Sequence, residues 1–348
     1  MTAALALSLL LALASAVVLT RSSESTVAVA PPRRRLSLSR RVAVMSLAAA
    51  SVATAAAAVR EAVSATPAPT PAARSIARKP VARLLPASFV QIDSGPSGGT
   101  VWQGVIRNRA APAAVRPTVI YLPPGASART RYPVLYLLQG FPGSPYQFVD
   151  GLRLARAADR AIGTRQARPL IAVIPPAGLT AKYAGEWTGT WEAYLVRDVV
   201  PWADRHLPTL TTRSGRAVAG LSAGGYGAVV VGLRHPSLFG TVESWSGYFV
   251  APRDESLAHA SAAQLAAHDP SLLVRREQAR LRALGMRFFL SSGTTHDRAS
   301  AAAAVGFARE LGALGFPHRL LLGAGGHDGK FWRSQLPAAL HYAFPPAF

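Results

Sequence analysis

Residues 220–224 read Gly-Leu-Ser-Ala-Gly, the pattern G-x-S-x-G. A short apolar run, Ala217 to Ala219, leads into it, and a helical run from Ala223 to Arg234 follows. A strand, a tight turn on a serine and then a helix is the setting a nucleophile elbow requires. Small residues on either side let strand and helix approach closely. The helix N-terminus brings backbone N–H groups and the positive end of its dipole towards the serine. A chance glycine-rich turn would carry the same five letters, but the strand and helix flanks favour Ser222 as a nucleophile.

Working outward, strands alternate with helices. Phe89 to Ile92, Thr100 to Arg107 and Thr118 to Leu122 read as strands separated by Gly and Pro turns. Pro133 to Leu138 and Leu170 to Ile174 are nearly all apolar, as in strands buried on both faces of a parallel sheet. Thr241 to Ser244, Arg287 to Leu290 and His318 to Leu322 extend the series. Helical spacing marks Tyr146 to Ile162, Thr190 to Leu207, Ala299 to Leu314 and Gln335 to Phe344. This order predicts an α/β domain with a mainly parallel central sheet and helices on both faces, its first strands forming an antiparallel edge.

A neutral serine needs a base. Of eight histidines, His327 alone sits in a glycine-rich loop (Gly325-Gly326-His327-Asp328) between the last strand and a C-terminal helix, where this chain order puts it. His318 begins the strand, His341 lies within the last helix, and His235 precedes Pro236 as a helix cap. An acid is needed to orient the imidazole. Asp297 follows the strand Arg287 to Leu290 by a short loop and is the favoured candidate. Asp328 is adjacent to His327 and badly placed for the same ring, Glu310 is mid-helix, and Asp269 and Glu243 are outside candidates. Preorganised donors for a developing oxyanion are expected from the N–H of Ala223 and from Gln139-Gly140-Phe141-Pro142-Gly143, where Phe141 is the candidate because Pro142 has no N–H. Trp187, Trp191, Tyr226, Trp245 and Phe249 are near enough to these motifs to line a pocket, and equally suited to a core.

The segments YLLQGFPGS (136–144), GLSAGGYGAVVVGLRHPSLFGTVESWSG (220–247) and GGHDGKFWRSQL (325–336) resemble the esterase family of α/β-hydrolase fold serine hydrolases. That family includes esterase D (S-formylglutathione hydrolase), feruloyl esterases and secreted mycolyltransferases. The resemblance spans roughly Ser88 to Phe344. It implies an α/β-hydrolase fold, a triad at Ser222, Asp297 and His327, oxyanion donors at Phe141 and Ala223, and no metal or organic cofactor. One departure stands out: many members carry His-Gly where this chain has Gln139-Gly140.

The region before this domain differs in kind. Residues 1–65 read as an export or membrane region, with uncharged apolar runs at 1–20 and 42–59, each near the length that crosses a bilayer. Between them Arg21, Arg33, Arg34, Arg35, Arg40 and Arg41 face only Glu24, so the positive-inside rule leaves both chain ends outside. A signal peptide over Arg33 to Ala58, with a weak twin-arginine pattern at Ser39-Arg40-Arg41, and cleavage of the second run are competing readings, and all of them export the domain. Residues 66–86, rich in Pro, Ala and Arg, read as an extended linker, which leaves 87–348 as the catalytic domain.

The net charge is +21 over 348 residues. Scattered arginines, frequent alanine and the lack of any nucleic-acid fold signature argue for coding bias and against nucleic-acid binding. The absence of cysteine excludes disulfides, thiolate metal sites and cysteine nucleophiles. The expectation is an exported or membrane-anchored serine esterase acting on a small-molecule or envelope ester. The alternatives are an envelope acyltransferase using the same residues and, less favoured, a non-catalytic envelope protein on a hydrolase scaffold. Oligomeric state is left open.

Overall fold

Strands that are apolar on both faces build the sheet that carries the site. In the computed structural model, which describes residues 84–109, 116–177, 187–253 and 257–346, β4 (Val134–Leu138) is completely buried. Its residues Val134, Tyr136 and Leu138 enter one core and Leu135 and Leu137 the other. This period-two split of an unbroken apolar run reflects a strand covered by helices on both sides. β5 (Ile171–Ile174) and β6 (Arg216–Leu221) divide in the same way.

With β1 (Val90–Ser94), β2 (Thr100–Gly104), β3 (Thr118–Leu122), β7 (Thr241–Trp245), β8 (Arg287–Gly293) and β9 (His318–Gly323), they form a nine-stranded sheet among the described residues, in the order β1-β2-β3-β5-β4-β6-β7-β8-β9. β1 to β3 pair antiparallel and β3 meets β5 antiparallel; from β5 through β4 and on to β9 every pair is parallel. The expected antiparallel edge is therefore present. Helices α1 (Leu154–Gly163) and α8 (Gly329–Ala343) pack on one face. On the other lie α2, which runs Thr190–Tyr194, widens into a π turn at Leu195–Val199 and continues over Val200–His206, then α3 (Ala223–Arg234) and α7 (Arg298–Ala313). Three short helices, α4 (Ala262–Ala266), α5 (Pro270–Arg276) and α6 (Gln278–Ala283), fill the excursion between β7 and β8.

Among the boundaries that differ from the sequence reading, such as β2 ending at Gly104 and β8 running on to Gly293, three have a local reason. The helical spacing over Tyr146 to Ile162 is split into a π turn at Gln147–Gly151 and α1, because Arg153 takes a left-handed conformation (φ 52°, ψ 50°) between them. The last helix begins at Gly329 rather than Gln335, since the Asp328 side chain accepts hydrogen bonds from the N–H groups of Lys330 and Phe331, both at 2.9 Å, and so caps an earlier turn. Leu84 and Leu85, counted with the linker, pack into the core. The expectations for the apolar runs at 1–20 and 42–59, and for the linker as far as residue 83, concern residues outside those described. Among the described residues no helix is long and apolar enough to cross a membrane.

Candidate active site

The parallel strands all end at one rim, where an open α/β sheet presents its ligand crevice. Gln139 follows β4 there, Ser222 follows β6, Ser246 follows β7, Asp297 lies just past β8 and His327 just past β9.

Ser222 has φ 55° and ψ −123° and stands directly before α3. Such a backbone conformation is costly for a residue with a side chain and persists only where the surroundings enforce it. Here the enforcement is close packing. A Cβ on Gly220 would meet the Gly224 carbonyl oxygen at 2.1 Å, and one on Gly224 would meet the Leu138 oxygen at 2.1 Å. Helix α3 is buried from Ala223 through Leu233, so strand, turn and helix are wedged together. The Ser222 N–H donates to the Trp245 carbonyl at 2.8 Å, which fixes the turn against the end of β7.

Nε2 of His327 lies 2.8 Å from Oγ of Ser222, and its Nδ1 lies 3.1 Å from Oδ2 of Asp297. The structure thus brings together three residues the sequence keeps far apart. The means is a continuation of the β8–β9 pairing beyond the strands. Thr294 N–H donates to Gly323 O and Thr295 N–H to Gly325 O, each at 2.9 Å, and His296 forms an isolated parallel bridge with Gly326. Asp297 is buried, and its Oδ2 also accepts a 3.2 Å hydrogen bond from the buried Ser292 hydroxyl.

The other acids and histidines have separate work. Hydrogen bonds from the Phe331 and Lys330 amides hold the Asp328 carboxyl below its ordinary range, and it faces the helix rather than the imidazole. Asp269 caps α5 through a 2.9 Å bond from Leu272 N–H. Burial pushes the Glu243 carboxyl well above the usual carboxylate range. Glu310 pairs with Arg275. His235 pairs with Glu192 at 2.7 Å, His318 contacts the Phe316 carbonyl and His341 the Gln166 carbonyl.

Ala223 is the first residue of α3, and first-turn amides have no partner within their own helix. On the facing loop, Gly140 comes so near the elbow that a Cβ there would stand 3.0 Å from the Ser222 Cβ. Phe141 follows it, and its ring is half exposed. Gln147 brackets Phe141: its Oε1 accepts from Gly140 N–H at 3.2 Å and its Nε2 donates to Pro142 O at 3.1 Å. Beneath the loop, Gln139 Nε2 donates to Gly143 O at 2.8 Å and Ala177 O at 3.3 Å, and Trp187 Nε1–H donates to Gln139 O at 3.0 Å. A side-chain amide, that of Gln139, thus supports the loop.

The five aromatic residues considered for a pocket are core residues. Trp187, Trp191, Tyr226, Trp245 and Phe249 are all buried. Tyr226 donates to the His268 carbonyl, and Phe249 stacks on Phe307. Ser292, Gln147, Trp332 and Ser246 were missed by sequence reasoning. Ser246 and Trp332 lie inside the quoted segments 220–247 and 325–336, but no role attached to them there, and the contacts of all four arise only when separate elements meet.

A family model described as "Putative esterase" matches residues 113–343. A curated esterase of Mycobacterium tuberculosis is 32% identical over 136 residues, covering 38% of this chain and 28% of its own. An endo-1,4-beta-xylanase/feruloyl esterase of Xylanibacter ruminicola is 30% identical over 145 residues, covering 39% of this chain and 20% of its own. The chain therefore matches under a third of either relative. Among solved structures, a ferulic acid esterase shares the fold with a TM-score of 0.63 at 23% identity, over 72% of this chain and 99% of its own. An S-formylglutathione hydrolase from Agrobacterium tumefaciens does so with 0.59 at 17%, over 73% and 97%. By the extent of the family match and the fold these neighbours share, the chain belongs to this esterase family of the α/β-hydrolase fold.

Proposed function

We propose that this chain is a serine esterase that hydrolyses carboxylic esters through Ser222, His327 and Asp297. The observation that carries the reading is the 2.8 Å approach of His327 Nε2 to Ser222 Oγ. With its proton on Nδ1, facing Asp297, the imidazole offers the lone pair of Nε2 to the serine hydroxyl. The hydroxyl proton moves to Nε2 as Oγ attacks the ester carbonyl. The Ala223 and Phe141 N–H groups receive the negative charge that develops on the carbonyl oxygen, in a setting where fixed donors need not reorganise. The imidazolium, held against the Asp297 carboxylate, returns the proton to the departing alcohol and leaves an acyl-enzyme on Ser222. Water then attacks the acyl carbonyl, losing a proton to the same Nε2, which passes it to the departing Oγ of Ser222 as the acid is released. The names of the relatives, esterases among them, support ester substrates.

The domain is proposed to act outside the cytoplasm, as a secreted or membrane-anchored enzyme. The two apolar runs flanking an arginine-rich loop support this location.

The test is an aryl-ester assay on the purified protein with fluorophosphonate labelling. Wild type is expected to label and to turn over. Ser222→Ala is expected to lose labelling and at least about 10⁴-fold in kcat. Full activity in Ser222→Ala would sink the reading. Product analysis with a competing alcohol separates hydrolysis from acyl transfer, and protease accessibility in intact cells tests the location.

A further inference from the structure

His327 sits on a loop with Gly325 and Gly326 before it, and its side chain is 39% exposed. The Thr295–Gly325 bond and the His296–Gly326 bridge fix the backbone of this loop, but they do not set the orientation of the imidazole that leaves it. One support is the Asp297 carboxylate. The structure contains a second, on the helix that follows. Trp332, buried in α8, meets the imidazole of His327 in a T-shaped contact with ring centroids 5.1 Å apart. Its indole is itself anchored, because Nε1–H donates to Oγ of Ser246 at 3.1 Å.

Ser246 is a constrained anchor. It is buried, has φ 52°, and its own N–H donates to the Ser291 carbonyl at 2.7 Å. It directly follows Trp245, whose carbonyl accepts the N–H of Ser222. The contacts therefore close a ring: Ser222 to Trp245, Ser246 to Trp332, Trp332 to His327, and His327 back to Ser222. Two consecutive residues at the end of β7 set the position of both the hydroxyl and the imidazole.

We propose that Trp332, locked by Ser246, is a positioning residue that holds the His327 ring on the Ser222 side of its loop. The proposal rests on the serine-esterase reading above, and it adds residues that act through His327 rather than in the chemistry itself. Small misplacements of a catalytic group cost rate steeply while leaving substrate binding largely intact.

The bond is removed from its two ends, with Ser246→Ala and Trp332→Phe, and in the double variant. Each preparation is titrated with a fluorophosphonate so that kcat is expressed per active site. A residue that only fills the core would lower the fraction of active protein and leave that value unchanged. Each single variant is expected to lose about ten- to a hundredfold in kcat per titrated site, with KM within about twofold. The double variant is expected to be no worse than the weaker single, because both remove one shared interaction. Unchanged kcat per site in Ser246→Ala, or losses that multiply in the double variant, overturns the proposal. Ser246→Ala removes one oxygen and decides the matter alone if Trp332→Phe does not fold. Wild-type protein that fails to label would instead sink the catalytic reading itself.

Discussion

Nδ1 of His327 faces Oδ2 of Asp297 at 3.1 Å, although the chain places Asp328 immediately beside that histidine. The acid nearer in sequence is not the one that meets the imidazole, because the Asp328 carboxylate is committed to two amides of α8. The two carboxylates are therefore expected to answer differently to substitution. Asp297→Asn preserves shape but removes the charge that orients and stabilises the imidazolium, and kcat should fall by roughly 10³- to 10⁴-fold. Asp328→Ala should leave kcat within about threefold and cost about 1 kcal/mol of stability through the lost cap. Aryl-ester kinetics and urea denaturation on both variants check the contrast. Equal kinetic losses would mean that the acid has been assigned to the wrong loop.

The Gln147 side chain grips the loop on both sides of Phe141, accepting from Gly140 and donating to Pro142. Gln147→Glu keeps an acceptor for Gly140 N–H but cannot donate to the Pro142 carbonyl, and it brings negative charge beside the place where the oxyanion would form. Gln147→Ala removes both bonds without adding charge. The expected order of kcat is wild type, then Ala, then Glu, with the alanine variant down about tenfold and the glutamate variant further. Complete loss of an oxyanion donor costs about 10²–10³-fold, which bounds the effect. Steady-state kinetics on the three proteins decide it, and a glutamate variant as fast as wild type would remove the loop from the oxyanion site.

Much of the architecture was legible because it depends on local pattern. Ala223 to Arg234 reads as a helix from its apolar run, and Pro133 to Leu138 as a buried strand from its nearly all-apolar composition. The loop positions of Ser222, Asp297 and His327 could be read from where strands end. What escaped depends on contacts between elements. The early start of α8 hangs on the Asp328 side chain turning back to two amides, and nothing in the periodicity signals it. Arg153 breaks a helical pattern by its backbone conformation alone. Ser292, Gln147 and Ser246 are ordinary polar residues until Asp297, Gly140 and Trp332 arrive beside them. The buried aromatics had equal claims to pocket and core on sequence grounds, and only their solvent exposure separates the two.

The close packing of the elbow makes a sharp structural prediction. A methyl group on Gly224 would lie 2.1 Å from the Leu138 carbonyl oxygen and 2.5 Å from that of Gln139. Both are backbone atoms of the strand end that carries the Phe141 loop, so neither can swing aside as a side-chain tip could. Gly224→Ala should destabilise the domain by about 3 kcal/mol or more and displace the loop from Ser222. Thermal denaturation and fluorophosphonate labelling of the variant test this. An alanine variant of unchanged midpoint and labelling rate would show that β4 and α3 are not wedged as described.

Glu243 allows a test of the core by pH. It is fully buried in β7, its Oε2 accepts from Trp245 Nε1–H at 3.1 Å, and burial drives its carboxyl well above the ordinary range, opposed only in part by the Trp245 bond and the Arg287 charge. In the unfolded chain the same carboxyl loses its proton near about 4.3. Between that value and the raised folded one, the native state holds a proton the unfolded state has released. Stability from this group is then complete below the unfolded value and falls as pH rises, by about 1.4 kcal/mol per pH unit. Gln cannot titrate and keeps an oxygen for Trp245. Glu243→Gln should therefore gain on wild type as pH is raised from about 5 towards the point where the folded carboxyl itself ionises, whatever the sign of the difference at the acid end. Urea midpoints for both proteins across that range measure it. A gap that stays constant with pH would mean that Glu243 carries the same charge folded and unfolded, and that the buried carboxyl is not held neutral.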